Sequence, residues 1–89
     1  MSYWTKKIQE VGMARVALAM KVTHGAVRRY VHGGSFPLGI NMRSLIAFME
    51  KELSHDDFVA FINSLAEDIM ALPPGIKVRV ATSRKRIDN

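Results

Sequence analysis

Apolar positions recur in steps of three and four residues along most of the chain, the period of helices that bury one face. Trp4, Ile8 and Val11 carry the first stripe, so a helix capped by Ser2 is predicted through about Val11. Gly12 ends or bends it. From Met13 the residues Val16, Ala17 and Met20 continue the period, and this second helix stops near Lys21 and Val22. Thr23 offers a hydroxyl cap for a third helix, Gly25 to about His32. Val27, Tyr30 and Val31 fall on its inner side, with Arg28 and Arg29 on the outer. Gly33 and Gly34 break the chain, and the stretch from Ser35 to Leu38 around Pro37 reads as a loop.

Leu45, Ile46, Met49 and Leu53 predict a fourth helix from Ile40 to Leu53. Ser54, with Asp57 three residues on, approximates a capping box for a fifth helix through about Leu72. Its stripe is Phe58, Phe61, Ile62, Leu65, Ile69 and Met70, and Asp56 and Asp57 suit the positive end of its dipole. Pro73, Pro74 and Gly75 end it. Ile76, Val78 and Val80 then alternate with Lys77, Arg79 and Ala81, the period of a half-buried strand. A lone strand has unpaired edges, and the economical partner is its twin in a second subunit. The expected fold is mainly α: a compact four- to five-helix bundle, with room for a short C-terminal β-strand at 76–80. Residues 1–81 form one domain, and 82–89 a basic flexible tail.

The chain of 89 residues has room for one domain. A domain of this size buries only roughly 60% of its unfolded surface, which favours a dimer. With no cysteine, disulfides, cysteine-type zinc sites and thiol nucleophiles are excluded. Nothing approaches the run of roughly 18 apolar residues that a membrane span needs. Two lysines interrupt residues 1–10 where a secretory signal has its apolar core, so the expected location is the cytoplasm.

The net charge of +5 is unevenly distributed. Residues 1–34 carry Lys6, Lys7, Arg15, Lys21, Arg28 and Arg29 against Glu10 alone. Residues 35–74 are acidic: Arg43 and Lys51 face Glu50, Glu52, Asp56, Asp57, Glu67 and Asp68. Residues 75–89 are basic again, with Lys77, Arg79, Arg84, Lys85 and Arg86 against Asp88. Cationic segments of this kind displace condensed counterions from phosphates.

The informative stretch is Met13 to His32, MARVALAMKVTHGAVRRYVH. It resembles the helix-turn-helix of small phage and plasmid repressors of the Cro type. The matching positions are Val16 and Ala17 in the first helix, Met20 before the turn, Val22 after it, and Val27 and Tyr30 in the second. One residue departs: the turn position that usually holds glycine is Lys21, at a cost of about 1 kcal/mol for a left-handed backbone.

The resemblance implies a transcriptional regulator of double-stranded DNA, repressor-like, from a phage or other mobile element, and extends to Apl-like switch proteins that also aid excision. It makes the helix from Thr23 to His32 the one that enters the major groove. Thr23, His24 and Gly25 then lie where side chains reach base edges, and Arg28 follows one turn later. Arg28 suits the bidentate pair to guanine, worth roughly 1–3 kcal/mol of discrimination. Arg29 borders the same face, and His32 suits phosphate or the groove flank. Lys6, Lys7, Arg15 and Lys21 are candidate backbone contacts, and the tail residues Arg84, Lys85 and Arg86 fit a basic arm along the DNA. A dimer would place half-sites about one DNA turn apart, and cooperative assembly on repeated sites is equally compatible.

No enzyme signature competes. Asp56 and Asp57 are adjacent, so they point apart on a helix and are capping residues rather than a catalytic pair. Ser35 and Ser44 lack a base arrangement. His24 and His32 lie eight apart without a ligand partner, so no metal is expected. No cofactor and no small-molecule ligand are expected either. The rival reading is a protein-interaction module, such as an antitoxin or anti-repressor, gripping a partner through an exposed Phe58 beside Phe61. RNA binding is weaker, for want of an aromatic-rich sheet.

Overall fold

The computed structural model describes residues 2–75. Within them the chain is mainly helical, with five helices: α1 (Tyr3–Val11), α2 (Met13–Met20), α3 (His24–Val31), α4 (Gly39–Glu52) and α5 (His55–Met70). There is no strand among the described residues. The strand expected at 76–80 and the tail at 82–89 lie outside them.

The apolar stripes converge on one core. Trp4 and Ile8 of α1, Val16, Ala17 and Met20 of α2, and Val27, Tyr30 and Val31 of α3 are all buried. They join Met42, Leu45 and Met49 of α4 and Phe61 and Leu65 of α5. Each fully buried large side chain contributes about 1.5–3 kcal/mol relative to exposure. The first and last of these helices, α1 and α5, pack together, while α2 packs against both α3 and α4. The short helix α3 is thus supported on its inner side and free on its outer one. None of these helices is long and apolar enough to cross a membrane.

Two of the expected caps form. The Thr23 hydroxyl accepts the Ala26 N–H at 3.0 Å, and the Ser54 hydroxyl accepts the Asp57 N–H at 3.2 Å. Ser2 corrects the third: it sits at the N-cap of α1 but makes no side-chain cap bond. Its hydroxyl donates instead to Asp68 Oδ2 at 2.7 Å, because α5 brings a carboxylate within reach. A charged acceptor makes the stronger bond. Gly12 takes φ +119°, which separates α1 from α2 at a backbone that a side chain would strain.

Phe58 is half-buried rather than exposed, packed on the core with its ring stacked at 6.3 Å on Phe61. The exposed aromatic grip that the interaction-module reading required is therefore missing at this position.

Candidate functional site

Three residues, Lys21 to Thr23, join α2 to α3. Lys21 adopts the left-handed conformation, φ 61° and ψ 42°. The Val22 N–H donates to the Ala17 carbonyl at 3.1 Å and the Lys21 N–H to the Leu18 carbonyl at 3.2 Å. These are the two bonds of a Schellman motif, which satisfies the last carbonyls of α2 and turns the chain sharply. The small residue Ala17, whose carbonyl closes this turn, is buried. The departure of Lys21 from glycine therefore leaves the turn intact and adds backbone strain.

The far end of α3 closes in the same way. Gly33 is left-handed at φ +85°, the Gly34 N–H donates to the Arg29 carbonyl at 2.8 Å, and the Gly33 N–H to that of Tyr30 at 3.4 Å. The helix is pinned at both ends by geometry and along its inner side by Val27, Tyr30 and Val31.

At about 100° per residue, His24, Arg28, His32, Gly25 and Arg29 fall in that order on one contiguous arc spanning about 140°. All are exposed except Gly25, which is half-buried. None of these side chains takes part in an ion pair among the described residues, and no acidic residue interrupts the arc. A Cβ on Gly25 would meet only Arg29 Nη1 at 3.8 Å and Thr23 Oγ1 at 3.9 Å, ordinary contacts. Packing therefore does not demand glycine there, and the bare backbone leaves a notch beside Arg29. Arg28 and Arg29 also lie in the last turn, where cations complement the helix dipole by about 0.3–1 kcal/mol. That effect accounts for a basic end but not for a whole arc without a counterion.

The remaining expected positions divide. Thr23 is exposed, with its hydroxyl oxygen engaged as the helix cap. Lys6 and Lys21 are exposed and without an ion-pair partner among the described residues. Lys7 and Arg15 differ from the expectation of free phosphate contacts. The Lys7 ammonium sits 3.0 Å from Glu10 and 3.7 Å from Asp57, and its hydrogen bond to Glu10 raises its pKa above the ordinary value. Arg15 donates to Glu52 at 2.8 Å and lies over the Phe48 ring. Their partners Asp57 and Glu52 belong to other helices, which tertiary packing brings beside α1 and α2. Arg84, Lys85 and Arg86 lie outside the described residues.

Sequence reasoning missed a second polar centre. Asp68, in sequence only one of the acidic residues of the 35–74 segment, accepts the Trp4 Nε1–H at 2.6 Å as well as the Ser2 hydroxyl. No local signal announces it, since the partners are 64 and 66 positions away. No group of three or more histidine or acidic side chains placed to hold a metal occurs among the described residues.

No family model, curated protein or solved structure matches this chain.

Proposed function

We propose that the protein is a sequence-specific double-stranded DNA-binding regulator of transcription that inserts α3 into the major groove. The observation that carries this reading is the unpaired cationic arc of α3, held outward by a helix-turn-helix core. His24, Gly25, Arg28 and Arg29 face base edges, with Thr23 at the helix entrance. Lys6, Lys21 and His32, exposed and without an ion pair among the described residues, are assigned to phosphates, while Lys7 and Arg15 reach DNA only by giving up Glu10, Asp57 and Glu52. The tail residues Arg84, Lys85 and Arg86 add a basic arm.

Occlusion of a promoter is the simplest mechanism. It matches the repressor-like resemblance, a phage or mobile-element origin, action in a bacterial cytoplasm, and binding as a dimer or as copies on repeated sites. The test is selection from random duplex DNA at near-physiological salt, with the native chain and with Arg28→Ala. A motif should emerge with the native chain, and Arg28→Ala should relax one base pair of it. Lys6→Ala should weaken all sequences alike and lower the salt slope by about 1. Equal effects of both substitutions on every sequence would refute the role of Arg28, and no enrichment at all would refute sequence-specific binding.

A further inference from the structure

We propose that the cleft between the start of α1 and the C-terminal ends of α3 and α5 binds a small organic ammonium ion carrying an apolar body. The cleft has a volume of about 530 Å³, within the range of roughly 300–1,000 Å³ usual for small-molecule sites. Trp4 and Phe36 form one wall, edge to face at 5.4 Å, and Tyr30 contributes a third aromatic ring. Asp68 is the acidic group in the lining, with Ser2 and His32 among its polar neighbours.

The carboxylate of Asp68 sets the ligand chemistry. Trp4 Nε1 and Ser2 Oγ hold it from two sides at 2.6 and 2.7 Å. Both donors are neutral and both bonds end on Oδ2, so among the described residues Oδ1 carries no protein hydrogen bond and the charge has no cationic partner. Glu10, Glu52 and Asp57, by contrast, all pair with cations. The charge strengthens both bonds that fasten α1 to α5, and it still leaves a half-buried carboxylate at the cleft with Oδ1 unengaged among the described residues. An ammonium group satisfies that charge by an ion pair and hydrogen bond, strengthened by reduced solvent screening. Phe36, half-buried, is the ring most open to the same cation and to its apolar body, while Trp4 and Tyr30 are core residues only 2% and 7% exposed. An anion is repelled by Asp68, and a neutral ligand leaves the carboxylate uncompensated. The sequence carries no signature of such a site, because the cleft is assembled from segments around residues 2–5, 30–36 and 68–72, far apart along the chain.

Trp4 is the only tryptophan, so its fluorescence reports the cleft directly. The full chain would be titrated with 2-phenylethylamine and with its neutral analogue 2-phenylethanol, by fluorescence and by calorimetry. Mildly alkaline pH keeps the amine charged and lies above the ordinary titration range of histidine. Saturable binding of the amine, at least tenfold tighter than the alcohol and at least tenfold weaker in Asp68→Asn with its thermal melt retained, is the expected result. If Asp68→Asn does not fold, Phe36→Leu replaces it, with a several-fold loss of amine affinity expected. Absence of saturable binding up to about 10 mM, equal affinity for the alcohol, or an amine affinity unchanged by the substitution would overturn the proposal. No readout involves DNA, so the outcome is independent of the function proposed for α3.

Discussion

Replacing Lys21 by glycine relieves the one left-handed backbone that a residue other than glycine adopts among the described residues. A side chain in that conformation costs about 1–2 kcal/mol through the crowding of Cβ against the carbonyl that follows. Glycine adds about 0.5–1 kcal/mol of unfolded-chain freedom in return. The Lys21 side chain is exposed, and both turn bonds are made by backbone groups, so no packing or hydrogen bond is lost. Lys21→Gly should therefore stabilise the fold by about 0.5–1 kcal/mol, a rise in Tm of about 2–8 °C for a domain of this size. Lys21→Ala keeps the strain and should stay within about 0.5 kcal/mol of the native chain. Urea unfolding followed by circular dichroism, with m-values compared, measures both. Under the function proposed above, the same Lys21→Gly chain should bind DNA with a salt slope lower by about 1, because the ammonium assigned there to a phosphate is gone. Stability unchanged or reduced in Lys21→Gly, or equal gains in Lys21→Ala and Lys21→Gly, would refute the assignment of strain to this turn.

Ser54→Ala removes the hydroxyl that caps α5 and should cost about 1 kcal/mol in urea unfolding, whereas Ser54→Asp should retain most of the stability. Gly12→Ala should destabilise by about 1 kcal/mol or more, because φ +119° strains any side chain although the added Cβ would meet only Arg15 side-chain carbons at 3.7–3.9 Å, ordinary contacts; a melt equal to the native one would contradict this. Burial pushes the Tyr30 phenol above its ordinary value of 10.0, partly offset by nearby Asn41 and Arg29. The folded state thus favours the neutral phenol, a contribution fully present below the unfolded value near 10 and lost as pH rises through the folded one. Urea midpoints measured between about pH 8 and 11 should fall more steeply in the native chain than in Tyr30→Phe, and parallel curves would exclude Tyr30 as the cause.

What the chain determined by itself was local. The apolar stripes, the hydroxyls of Thr23 and Ser54, Gly12, the Gly33–Gly34 pair and the prolines at 73 and 74 act within one or two helical turns. The five helices and their inner faces were accordingly legible from spacing, and so was the outward set His24, Gly25, Arg28, Arg29 and His32 on α3. Lys21 was legible as an exception to the turn rule, and its backbone bonds show why the rule bends: the turn is closed by amides, which lysine also has. Tertiary structure decided which charges stay free. Arg15 looks no different in sequence from Lys21, yet packing sets it beside Glu52, and packing adds Asp57 at 3.7 Å to the local partner Glu10 of Lys7. It also drew Ser2 away from its cap and joined Trp4 to Asp68 across almost the whole described chain. Helices form through bonds four residues apart, so their pattern is written in short windows. Ion pairs and clefts depend on which helices meet, and that follows only when every buried face has found its partner.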